Sequence, residues 1–322
     1  NLKKLYLTSN ELISIGAIRF CEFMEDLKLK KISNIVFNLY DMGWFKRPEM
    51  QSVKDLLIEN RISHFDLNCA LLSVDYEILG SIASKFEVNQ NLKSFALYLT
   101  LCKINLDKVE KLMQGLNFTK NSLKSLDISL PGLGRYSDIS TIFSRIAPLK
   151  QLKELKIDLT GFQKRDTYWL KDLKNTLSGL KQLRILEMDF SKMGYTQNFM
   201  TLLGETLESL GSVTVLTIEL EKEYLEVTHG QAATDEYLDL FIGKLGCLKN
   251  VNDLYLNLKE WEEDLGFNSV LLIRTLQALK HLKKLNIFVG FIFNWKLLSK
   301  LVGLVERTLP RISFFLTEKY YY

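Results

Sequence analysis

Apolar residues recur along the chain at offsets 0, 3, 5 and 7 of a short motif, plain in Leu123-Lys-Ser-Leu126-Asp-Ile128-Ser-Leu130. The motif begins again at Leu2, Ile32, Ile62, Leu92, Leu152, Leu183, Val213, Val251, Leu282 and Leu309, at steps of 27 to 38 residues that mostly lie near 30. Offsets 3 and 5 are apolar in every one of these motifs. At the chain's hydrophobic frequency chance would produce that with odds of about 10⁻⁷, so the repeat is real.

Alternation at offsets 3, 5 and 7 has the period of a strand with one face turned inward. Between strands the spacing becomes helical, as in Leu106, Val109, Leu112, Met113 and Leu116. Leu170, Leu173, Leu177 and Leu180 repeat that spacing, as do Leu202, Leu203, Leu207 and Leu210. One strand and one helix cannot bury their own apolar faces, so the units must stack. The predicted fold is an α/β solenoid of about eleven units, with a parallel sheet on the concave side of a curve and helices outside. It is expected to form a single domain over residues 1–322.

The opening unit, Leu2-Lys-Lys-Leu5-Tyr-Leu7-Thr-Ser-Asn10-Glu-Leu12, resembles the leucine-rich repeat family, in its ribonuclease-inhibitor-like class. The resemblance covers nearly the whole chain. It implies that Asn10 ties adjacent turns together through backbone hydrogen bonds. Later units replace this asparagine with Tyr40, Ala70, Thr100, Pro131, Thr160, Ser191, Glu221, Lys259, Gly290 and Thr317. They add an apolar residue at offset 7, such as Leu39, Leu99, Leu159 or Leu258. That variant is similar to the divergent repeat arrays of ciliated protists, some of which follow a kinase domain or belong to cytoskeletal assemblies. The resemblance implies a non-enzymatic scaffold or interaction module. It would be a structural subunit of a larger cytoskeletal or ciliary assembly in the cytoplasm, with other proteins as partners. The alternative is a regulatory repeat domain of a signalling protein, either kinase-linked or GTPase-activating. For the latter, Arg135 and Arg165 in loops are the arginines to test.

Composition narrows the classes. With 47% hydrophobic residues and four prolines in 322 residues, the chain can bury a continuous core. A net charge of +4 with 25% charged residues does not suggest nucleic acid, which calls for a concentrated basic face. Cys21, Cys69, Cys102 and Cys247 show neither disulfide nor metal spacing and read as reduced thiols. The chain opens inside a repeat at Asn1 without a methionine, so a longer polypeptide is expected. The most apolar stretch, Leu285 to Val305, is broken by Asn286, Asn294, Lys296 and Lys300, so no transmembrane helix is expected. Asn117-Phe118-Thr119 is a glycosylation sequon, weak evidence by itself for secretion.

Candidate binding residues follow from the repeat. Offsets 2, 4 and 6 carry Asp127, Glu154, Asp158, Glu187, Asp189, Glu219 and Asp253 against a single Lys156 in units five to nine. This is either a docking surface for a basic segment or a solvated acidic face. Offset 1 carries Lys3, Lys93, Lys124, Lys153, Arg184 and Lys283, a basic column at the strand entries with Lys150, Lys181 and Lys280 just upstream. It either grips an acidic partner or serves solubility. One unit is oversized by about eight residues, over 221–234, as a surface insertion or a partner-contact loop before a helix capped near Thr234 or Asp235. At the C-terminal end, Phe314, Phe315 and Leu316 form a last strand, followed by Tyr320, Tyr321 and Tyr322. These tyrosines either cap the last turn or meet another chain.

No reaction is legible. His64, His229 and His281 lie in separate units without ligand spacing. His64 with Asp66 and Ser63 or Ser94 is a triad by residue type only, with no nucleophile elbow. Pro131-Gly-Leu-Gly134 lacks the lysine of a phosphate loop. No catalytic, cofactor-binding or metal-binding residue is assigned, and no small-molecule substrate, nucleic acid or membrane is expected.

Overall fold

A computed structural model describes residues 3–28, 32–38, 47–59, 62–69, 82–87, 89–100, 106–132, 138–162, 167–221, 235–258, 269–289, 303 and 313–317. The chain divides into two compact units, residues 1–133 with 137–158, and residues 134–136 with 159–322.

The first unit runs β1 (Lys4–Thr8), α1 (Ser9–Lys28), β2 (Asn34–Asn38), α2 (Arg47–Glu59), β3 (His64–Asn68), β4 (Ser94–Tyr98), α3 (Leu106–Leu116), β5 (Ser125–Ser129), α4 (Ser140–Ile146) and β6 (Glu154–Asp158). Its strands pair in chain order and all are parallel, with like offsets opposite one another, as in Leu5↔Ile35, Ile35↔Phe65, Phe65↔Phe95, Phe95↔Leu126 and Leu126↔Leu155. These inward residues are almost completely buried. Phe65 and Phe95 stack at 6.0 Å between ring centres, and Phe86 meets Phe95 edge-on at 5.5 Å. In α3, Val109, Leu112, Met113 and Leu116 are fully buried, which is the apolar stripe the helical spacing predicts.

The second unit runs α5 (Trp169–Gly179), β7 (Ile185–Asp189), α6 (Gln197–Leu207), β8 (Val215–Glu219), α7 (Asp235–Leu245), β9 (Asp253–Leu258), α8 (Ser269–Ala278), β10 (Lys284–Val289) and β11 (Ser313–Thr317). These strands also pair in order and in parallel. Trp169 anchors the core here, with its ring 5.7 to 6.1 Å from Phe162, Phe190 and Phe199. Thr196 caps α6 by accepting the Phe199 amide at 3.1 Å. The last strand corrects the motif phase. Phe314 and Leu316 lie opposite Leu285 and Ile287, so the repeat in register starts two residues beyond Leu309. A slip of two keeps every side chain on the same face, which is why the apolar pattern did not reveal it.

A backbone device repeats along the strand entries of both units. In the first unit the Lys3 carbonyl accepts both Ser33 and Asn34 amides, and that of Ser33 accepts Ser63 and His64. The carbonyls of Ser63, Lys93 and Lys124 do the same for the following strand, all at 2.7–3.2 Å. In the second unit the carbonyls of Arg184, Thr214 and Asn252 each accept two amides likewise. The offset-1 residue is therefore held by its main chain, and its side chain is left to project. After the strands, offset 9 takes a left-handed turn at Gly132 (φ 71°), Gly161 (φ 70°) and Lys192 (φ 58°). The Lys192 amide donates to the Glu221 carbonyl at 2.7 Å, which holds a non-glycine residue in that region.

Candidate functional site

Because inward positions are filled with apolar side chains, offsets 2, 4 and 6 make a second, open sheet face in each unit. In the first unit β6 alternates half-buried Glu154, Lys156 and Asp158 with buried Leu155 and Ile157. The carboxylates there are held by the preceding strand. Ser125, opposite Glu154, donates to it at 3.2 Å, and Ser129, opposite Asp158, donates at 2.6 Å. The Tyr98 hydroxyl reaches diagonally to Asp127 at 2.6 Å. Lys156 lies 3.7 Å from Glu154 on its own strand.

In the second unit, β7 places Glu187 and Asp189 on the open face and β8 adds Glu219 directly opposite Asp189. Asn257, opposite Glu219 on the other side, donates to it at 3.2 Å. Asp189 accepts the Ser191 amide at 2.8 Å, and Asp253 sits 3.6 Å from Lys284. Tyr255 stands among them, its ring 5.0 Å from that of Phe288. Burial, then the charges of Glu219 and Asp189, push its phenol up to about 12. The hydroxyls and amides that hold these carboxylates were not legible from composition. Their signal is positional, since Ser125, Ser129 and Asn257 each share an offset with the carboxylate they bind.

The basic column lies where the repeat places it. In the first unit Lys3, Lys93, Lys124 and Lys153 are exposed, as is Lys150 just upstream. In the second unit Arg184, Lys181, Lys280 and Lys283 are exposed, and Arg184 donates to the Ser212 carbonyl at 2.8 Å. Tyr320, Tyr321 and Tyr322, the inserted residues 222–234, Arg135, Arg165, Cys102 and His229 lie outside the described residues, as does the side chain of Asn10.

The His64 cluster has the wrong wiring for nucleophilic catalysis. The Ser63 hydroxyl meets His64 through Nδ1, at 2.8 Å. In a triad Nδ1 faces the carboxylate and Nε2 faces the serine. Ser63 is also within 3.1 Å of the Ser33 carbonyl and 3.3 Å of Asn34 Oδ1, acceptors that compete for its one proton. Asp66 is raised above the usual carboxylate value by burial, with His64 pulling it down. Among the described residues no group of three His, Cys, Asp or Glu side chains is placed to hold a metal ion. Cys21, Cys69 and Cys247 form no disulfide. Among the described residues no helix is long and apolar enough to cross a membrane. In the sequon, Thr119 is buried with its hydroxyl donating to the Leu116 carbonyl at 2.7 Å, so the threonine serves the turn into β5.

No protein-family model matches the chain, and no curated protein matches it significantly.

Proposed function

We propose that this chain is a leucine-rich-repeat solenoid acting as a non-enzymatic interaction or scaffold module, a structural subunit of a larger cytoskeletal or ciliary assembly whose partners are other proteins. One observation carries the reading. Each open sheet face presents polar and charged side chains in fixed rows, on strands held in register by main-chain bonds rather than by those side chains. A surface built this way can change its outward residues without losing its frame, which suits recognition of an extended protein surface. The wiring of Ser63 and His64 supports the same reading by removing the nearest candidate for covalent chemistry.

The test is crosslinking with mass spectrometry on the chain and the proteins that accompany it in its source cells. Crosslinks should fall on Lys156, Lys284 and the strand-entry lysines. Reversing Glu187, Asp189 and Glu219 to lysine should abolish capture of the partners bound by the open face. Partners that stay bound to this variant, with crosslinks confined to the helices, would refute the proposal for the sheet face.

A further inference from the structure

Lys93, Lys124 and Lys153 stand one per strand at the entries to β4, β5 and β6, all exposed, and no described carboxylate pairs with any of them. Their main chains are locked together, Lys124 and Lys153 each donating to the preceding lysine's carbonyl at 2.7 Å. Strand spacing therefore sets these ammonium groups on a ladder of about 5 Å rungs. Lys120 and Lys150, exposed in the turns just before, add to the same charge. At this spacing the like charges repel one another, and an acidic partner relieves them.

The second unit carries the converse charge. Asp189 and Glu219 supply directly opposed carboxylates on β7 and β8 and Glu187 adds another on β7, while Asp253 lies nearer the strand entry on β9, opposite Val215. Asp189 and Glu219 stand at the same strand spacing as neighbouring lysines, because parallel pairing sets both. The face already accommodates a lysine at one end, where Lys284 reaches Asp253. Its carboxylates are half-buried, within the reach of a lysine's flexible four-carbon stem.

We propose that the chain docks on a second copy of itself, the lysine ladder of one copy's first unit engaging the Glu187, Asp189 and Glu219 carboxylates of the other copy's second unit. The proposal rests on the protein-binding reading above and names a partner for it. The two surfaces differ, so the contact is heterologous. It joins copies into rings or open rows rather than only into closed pairs.

The experiment is sedimentation velocity on the purified 322-residue chain in about 0.01 M and about 1 M salt, where charges are screened beyond about 30 Å and about 3 Å. Self-association is expected at low salt and should vanish at high salt. The triple variant Lys93→Glu, Lys124→Glu, Lys153→Glu should lose association about a hundredfold or more, and so should Glu187→Lys, Asp189→Lys, Glu219→Lys. Circular dichroism melts confirm that each variant is folded. Mixing the two variants is the decisive arm, because each retains the charged surface that the other has lost, and association between unlike variants returns. A chain that stays monomeric at low salt, or a mixture that stays dissociated, overturns the self-docking. Neither result bears on capture of other proteins, which the crosslinking experiment reads separately.

Discussion

Gly115 and Gly243 both lie in helices, yet an added methyl group has opposite consequences at the two. A Cβ on Gly115 would lie 2.5 Å from the Ala83 carbonyl oxygen and 2.6 Å from its Cβ, whereas one on Gly243 meets nothing within 4 Å. Gly115→Ala should destabilise the chain by roughly 1–3 kcal/mol, because backbone must move to admit it. Gly243→Ala should stabilise by about 0.5–1 kcal/mol, the cost of an unneeded helical glycine. Urea unfolding of the two variants checks both signs. Tyr255 sets a second residue-scale expectation. Its phenol is pushed up to about 12, so the folded chain holds that proton more tightly than the unfolded one. The contribution is complete below the ordinary tyrosine value of about 10 and is lost as pH rises through about 12. Tyr195 is raised well above its usual value by burial, then by Asp189 and Glu221, and acts on the same alkaline side. Glu219→Gln should lower the Tyr255 midpoint in an ultraviolet titration without restoring it fully, since burial remains. An unchanged midpoint would mean that the carboxylate contributes nothing.

At the scale of elements, most of what formed was legible. Helices α3, α5 and α6 form in the three segments whose leucines recur at helical spacing, with Leu180 and Leu210 just past the ends of α5 and α6, and each described strand but β11 sits on its expected offset-3 and offset-5 pair. The α7 helix begins at Asp235, at the place where a cap near Thr234 or Asp235 is expected. Three features were not legible, each for a physical reason. The phase of β11 was hidden because a two-residue slip leaves a period-two pattern unchanged. The non-helical Gly16 inside α1 (φ 68°, ψ 169°) gave no periodic signal. The left-handed turn at offset 9 was obscured because Lys192 occupies the place that Gly132 and Gly161 fill elsewhere. The candidate acidic face was legible as a set of offsets. The hydroxyls and amides that anchor it became visible only with strand register, because Ser125 and Glu154 are 29 residues apart in sequence.

At the scale of the molecule, the pairing across the enlarged stretch has a practical meaning. Glu219 and Asn257 are bonded neighbours although 38 residues separate them, and Ser63 and Ser33 make the corresponding kind of neighbour at a separation of 30. The Thr214 carbonyl still accepts two amides from the far side, as its shorter-range counterparts do. The frame therefore accommodates the extra chain between Leu220 and Asp235. Closing a longer loop costs only about 0.6 kcal/mol per doubling, so this stretch can host foreign sequence. A peptide tag or small reporter placed between Val227 and Ala233 should leave the melting temperature nearly unchanged. The same insertion within β8 should prevent folding, as limited proteolysis would reveal. Such an insertion would carry a probe into the assembly proposed for this chain, without altering the surfaces proposed to do the joining.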